Sequence, residues 1–163
     1  TLKTEVERLL DNDEARQGLR YRLNLRPLKF VNIGANYSRR FQSNDLNKSD
    51  NINAYFSWSK LPWIGGMLFI NYNDNTSSYL HSNILSFRHS RTLIKDRLDA
   101  DVYYRMVTYT YSTRELINNQ KYYGASLSYR IAKKLTFSML GELSTLSSEE
   151  DNYRINVRIS KNF

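Results

Sequence analysis

From residue 19 to the end, this chain is a succession of period-two segments, and few folds can accommodate so many. Tyr21, Leu23 and Leu25 alternate with Arg20, Arg22, Asn24 and Arg26, and the run stops at Pro27. Val31, Ile33, Ala35 and Tyr37 alternate with Asn32, Gly34, Asn36 and Ser38. Ile52, Ala54, Phe56 and Trp58 alternate with Asn53, Tyr55 and Ser57, and Leu68, Ile70 and Tyr72 follow a turn at 61–66. Leu98, Ala100, Val102, Tyr104 and Met106 oppose Asp99, Asp101, Tyr103 and Arg105, and Tyr123 to Ile131 oppose Gly124, Ser126, Ser128 and Arg130. Leu135, Phe137, Met139 and Leu143 oppose Thr136, Ser138 and Glu142. Only the stretch 79–91 is mixed, with Leu85 and Phe87 in one phase and Leu80 and Ile84 in the other. Successive side chains of a strand point to opposite faces, so each segment reads as a strand with one apolar face. The fold class is all-β, an antiparallel meander.

The last strand carries the sharpest signal. Tyr153, Ile155, Val157, Ile159 and the terminal Phe163 share one side of an extended chain, and Arg154, Asn156, Arg158, Ser160 and Asn162 share the other. Lys161 interrupts the apolar side once. A final strand of this kind, ending on an in-phase aromatic residue, resembles bacterial outer-membrane β-barrel proteins. The resemblance implies that Tyr153, Ile155, Val157, Ile159 and Phe163 form an assembly signal read by the barrel-assembly machinery. It also implies an up-and-down transmembrane β-barrel of about 10 strands, or the C-terminal part of a larger one.

The connections suit that expectation. Those at 27–29, 61–66, 93–96 and 132–134 are brief, whereas those at 41–51, 74–78, 112–121 and 144–152 are mostly longer and rich in Asn, Ser, Asp and Glu. Outer-membrane barrels have short periplasmic turns and longer extracellular loops. No run approaches the roughly 20 apolar residues of a membrane-spanning helix, but barrel strands need only about 9–11 alternating residues. The chain begins at Thr1 with no signal-peptide pattern, which suggests a processed protein or a piece of a longer one.

Residues 1–18 allow two readings beside the barrel strands of 19–163. Leu2, Val6, Leu9 and Leu10 fit one helical face. Alternatively Leu2, Thr4 and Val6 alternate with Lys3, Glu5 and Glu7 as a first strand followed by a loop. The strand reading is preferred because a hairpin would set Glu7 opposite Arg22 and Lys3 near Arg26, and closure would bring Arg154 and Arg158 to the same acids.

The polar face is the candidate working surface. Arg20, Arg22, Arg26, Arg88, Arg105, Arg130, Arg154 and Arg158 are expected in a lumen, with Glu5, Glu7, Asp99, Asp101 and Glu142 as counter-charges. Leu23, Val31, Ile33, Phe56, Ile70, Val102, Leu127, Phe137 and Val157 are expected to face lipid. The net charge of +8 could also suit a basic domain that binds polyanions. Arginines alternating inside strands fit a polar interior better, and no nucleic-acid partner is expected. Tyr21, Tyr37, Trp58, Trp63, Tyr72, Tyr104 and Phe137 suit an interfacial aromatic belt, while Tyr103, Tyr109 and Tyr111 lie on the polar side as ligand candidates.

Enzyme chemistry finds little support. His81-Ser82 and His89-Ser90 are adjacent pairs, so base and hydroxyl point to opposite faces, and no acid is placed to orient either histidine. The chain has no cysteine, and two isolated histidines make no metal site, so neither metal nor cofactor is expected. The expectation is a porin-like conduit, or the membrane-embedded subunit of a transport or export complex, with an Arg-rich lumen. The alternative is a plugged structural or adhesive barrel whose long loops bind a partner. Outer-membrane lipid is the implied surrounding, and other envelope proteins are the implied companions. A third possibility, a soluble basic β-sandwich, requires the apolar strand faces to pack on one another.

Overall fold

The computed structural model describes residues 2–11, 14–42, 48–112, 116–146 and 151–161, with the backbone alone over 2–11, 14–17, 41–42 and 116. It contains one antiparallel sheet whose spatial order is the chain order. The strands are β1 (Leu2–Asp11), β2 (Glu14–Leu28), β3 (Val31–Gln42), β4 (Ser49–Trp58) and β5 (Met67–Ser77). They continue as β6 (Leu80–Ile94), β7 (Leu98–Tyr111), β8 (Leu116–Ala132), β9 (Leu135–Leu146) and β10 (Asn152–Lys161). The mixed stretch at 79–91 is thus an ordinary strand. Its Ile84 stands between Asn73 and Val107 on the polar face, which is why its apolar residues fall in both phases.

Segment 2–11 is a strand rather than a helix. Its pairing starts at Asp11↔Glu14, which sets Glu5 opposite Arg20, Lys3 opposite Arg22 and Glu7 opposite Gly18. The expected Glu7–Arg22 and Lys3–Arg26 juxtapositions do not form. Only Asn12 and Asp13 separate the two strands, and so tight a connection fixes an earlier register than a longer loop would.

Strands also run further than the alternation does. β5 reaches Ser77 and β6 starts at Leu80, so the expected loop at 74–78 is a two-residue connection. β8 begins at Leu116, which removes more than half of the expected loop at 112–121. Polar residues occupy both faces there: Asp74, Thr76, His81, Asn83, Thr108, Thr110 and Asn119 lie on the otherwise apolar side. Alternation reports a change of medium across a sheet, and it disappears where both faces meet water although the ladder continues.

Three register shifts, at Leu25/Leu28, Thr92/Ile94 and Arg130/Ala132, sit beside the turns of one rim. Bulges concentrate at barrel rims, where they bend and twist the strand. The fourth connection on that rim, 59–66, is instead built with Trp63, Gly65 and Gly66 at φ 63°, 70° and 78°.

The sheet has almost no core. Among the described residues, Val31 and Val107 are the buried hydrophobics, and no large side chain is fully buried. β10 pairs with β9, and no ladder joins β1 to β10 among the described residues. A single uncovered layer is not a sandwich, and the apolar strand faces do not pack on one another.

Candidate functional site

The polar face is assembled by register. On β2 it carries Arg20, Arg22, Asn24 and Arg26, and on β3 to β5 it carries a field of asparagines. Asn36, Asn53 and Asn73 are direct cross-strand neighbours, as are Asn51 and Asn75. Charge returns on β6 to β10 with Arg88, Asp99, Asp101, Arg105, Arg130, Glu142, Arg154 and Arg158. Apart from Arg40 near the end of β3, the face is therefore divided into an uncharged amide sector and a charged sector.

Two tyrosines tie neighbouring strands together in the same way. Tyr55 of β4 lies across Gly34 of β3, and its hydroxyl donates to Asn24 Oδ1 of β2 at 2.9 Å. Tyr103 of β7 lies across Gly124 of β8, and its hydroxyl donates to Glu142 Oε2 of β9. A β-carbon at either glycine would overlap the tyrosine ring, so each glycine is the seat on which a ring rests. Tyr55 also stacks on Phe69 at 6.2 Å, which places an apolar ring on the polar face.

The charged sector is cross-linked. Arg88 Nε donates to Asp101 Oδ1 at 3.1 Å, and the same carboxylate accepts from Ser90 and, at 3.4 Å, from Ser126. Thr92 donates to Asp99 at 2.6 Å. Arg105 stacks its guanidinium 4.4 Å above the Tyr122 ring. Arg154 stands directly opposite Glu142. Arg26 turns away from the centre of the face to donate from Nη2 to the Lys29 carbonyl at 2.7 Å. A cleft of about 380 Å³ at the short-turn rim is lined by Lys95, Arg97, Arg130, Asp96 and Asp99 with Thr92, Ser128 and Thr136.

The remaining candidate residues are placed as follows. Arg20 and Arg22 share the polar face of β2, opposite Glu5 and Lys3, and Glu7 occupies the same phase of β1. Leu23 and Ile33 are each 40% exposed on the apolar face, and Val102, Leu127 and Val157 are about half exposed there. Phe56, Ile70 and Phe137 are half-buried. Val31 departs from the expected lipid exposure because it is covered, 6% exposed, where the Leu25/Leu28 bulge places it opposite Leu28 and beside Trp58. Tyr153, Ile155 and Ile159 are the most exposed of the β10 apolar residues, whereas Phe163 lies outside the described residues. Tyr109 shares the polar face with Ser82 and Asn118.

One residue missed by sequence reasoning changes the account of the histidines. His81 Nε2 lies 2.8 Å from Asp74 Oδ2, a cross-strand diagonal that needs the β5–β6 register to be seen. Ser82 points to the opposite face, so it does not stand with the Asp–His pair. Asp74 serves a rim network instead, accepting from Tyr72, Thr76 and Asn83. His89 Nε2 lies 3.0 Å from the Gly65 carbonyl, which can only accept, so that nitrogen carries the proton.

No family model matches the sequence, and no curated protein does. Among solved structures, the chain is similar to a KdgM porin at 10% identity and a TM-score of 0.44, over 93% of this chain and 78% of that one. It is also similar to a KdgM porin in complex with disordered oligogalacturonate, at 14% identity and a TM-score of 0.33, over 92% of this chain and 95% of that one.

Proposed function

We propose that this chain forms a porin-like conduit in a bacterial outer membrane, with its apolar face against lipid and its Arg-rich polar face lining water. The observation that carries the reading is the missing core. Val31 and Val107 are the buried hydrophobics among the described residues, while Val102, Leu127, Ile131, Ile155 and Ile159 stay about half exposed or more. In water such a face would be driven together; against hydrocarbon it is already solvated.

The same reading requires the edges of β1 and β10 to be paired, because unpaired backbone groups in lipid cost several kcal/mol each. Ten strands in meander order leave β1 and β10 antiparallel, so they can close on each other or on further strands. Arginine rings bias a pore toward anions. The polar face offers that surplus on β2, β6 to β8 and β10, against Glu5 and Glu7 in the same phase of β1 and Asp99, Asp101 and Glu142 on β7 and β9.

Conductance in planar bilayers tests this. Discrete channels with a reversal potential favouring anions are expected, and Arg105→Glu with Arg154→Glu should move that potential toward cations. A protein that inserts but stays silent would contradict transport and support the plugged, adhesive alternative.

A further inference from the structure

The short-turn rim has a composition that the conduit does not use. Every turn there carries lysine at its tip: Lys29, Lys60, Lys95, and the Lys133–Lys134 pair, all exposed. Asp96 is the one acid in those turns, whereas the opposite connections contain Asp13, Asp45, Glu115, Glu149, Glu150 and Asp151 against Lys48 and Arg114. The short-turn rim is therefore strongly basic.

Directly after Lys60 comes the most apolar connection in the chain, Leu61-Pro62-Trp63-Ile64-Gly65-Gly66. Trp63 is 101% exposed and packs on nothing in this protein, and Ile64 is 59% exposed. The turn is nevertheless well held. Leu61 N donates to the Gly66 carbonyl at 3.1 Å, Gly65 N to the Leu61 carbonyl at 3.2 Å, and Ile64 N to the Pro62 carbonyl at 2.7 Å. A side chain at Gly66 would strike the Ser90 carbonyl, so the backbone of the turn lies against β6. His89 clamps Gly65 from the apolar face, since His89 shares that phase with Val102 and Leu68. The turn is thus fixed on the side where the conduit reading puts lipid. Beside it, Lys29 and Lys60, from adjacent turns, converge on the Phe30 ring with their Nζ atoms 5.7 and 5.5 Å from its centroid.

We propose that this turn is an interfacial anchor that selects anionic phospholipid, with Trp63 and Ile64 in the headgroup boundary and Lys29 and Lys60 on the lipid phosphates. The inference rests on the membrane reading above. Indole rings settle at the headgroup level, and basic residues at a membrane surface are attracted to acidic lipid. The attachment of the turn to the apolar face through His89 selects lipid over a protein partner, and the two lysines, with no acid in either turn, select anionic lipid.

The chain holds two tryptophans, so Trp58→Phe leaves Trp63 as a single reporter. The full chain would be refolded into phosphatidylcholine vesicles containing brominated phosphatidylglycerol or brominated phosphatidylcholine. Trp63 emission should be quenched more strongly by the brominated anionic lipid. Lys29→Gln with Lys60→Gln should reduce that preference by about fivefold per lysine. Equal quenching by the two lipids, or a preference unmoved by the lysine substitutions, would overturn the anchor. Quenching by aqueous acrylamide with none by lipid would overturn it too and mark the turn as a surface open to protein. Co-sedimentation with vesicles separates the two readings: a chain that inserts yet gives these negative results loses the anchor alone, whereas a chain that does not insert loses both.

Discussion

Val102→Arg is expected to abolish stable folding into lipid. Val102 is 52% exposed on the apolar face of β7, flanked in register by His89 and Ala125. In an aqueous protein a half-exposed valine accepts arginine at a cost within about 0.5 kcal/mol. At the midplane of a bilayer the same change costs about 2–4 kcal/mol, and Leu127→Arg should behave alike. Arg130→Ala, on the polar face at the rim, should assemble normally. Urea titration of vesicle-refolded protein, read by the gel-mobility shift of the folded form, distinguishes the cases. Equal stability of Val102→Arg and Arg130→Ala would mean that hydrocarbon does not cover the apolar face.

Gly124→Val is the second large effect. The added side chain would occupy the position of the Tyr103 ring, and Tyr103 has to leave Glu142 to make room. Forcing bulk into a filled position costs about 1–3 kcal/mol, and the abandoned carboxylate of Glu142 adds to it. Gly141→Val is the internal control. It lies on the next strand with nothing within 4 Å of a β-carbon, so it should be tolerated. Because the penalty runs through one ring, Tyr103→Ala with Gly124→Val should be less destabilised than the sum of the single changes. Strict additivity would mean that the ring does not rest on Gly124.

These residues show what was legible in the sequence. The alternation of β7, β8 and β10 was readable because each separates an apolar row from a polar one over many residues. The Tyr103–Gly124–Glu142 joint was not, because its members belong to three strands and meet only once the register is fixed. Phe69, Ile84 and Leu140 on the polar face were invisible for a related reason: a single apolar residue in the polar phase looks like noise until its cross-strand neighbours are known. The ends of β5, β6 and β8 were misjudged where polar residues take both faces, since the pattern reports the medium and not the hydrogen bonds. The β1–β2 register depended on a two-residue connection whose tightness no pattern of side chains declares. The lysine-tipped turns were present in the sequence throughout, but their meaning needed the knowledge that all of them share one rim.

Cysteine accessibility along β7 tests the central claim most directly, since the chain contains no native cysteine. Single cysteines would replace each residue from Ala100 to Arg105 in vesicle-refolded protein, followed by reaction with a membrane-impermeant maleimide. The account predicts labelling at 101, 103 and 105 and protection at 100, 102 and 104, a strict period of two. Uniform labelling, or protection on the polar phase with labelling on the apolar one, would contradict a wall that separates lipid from water.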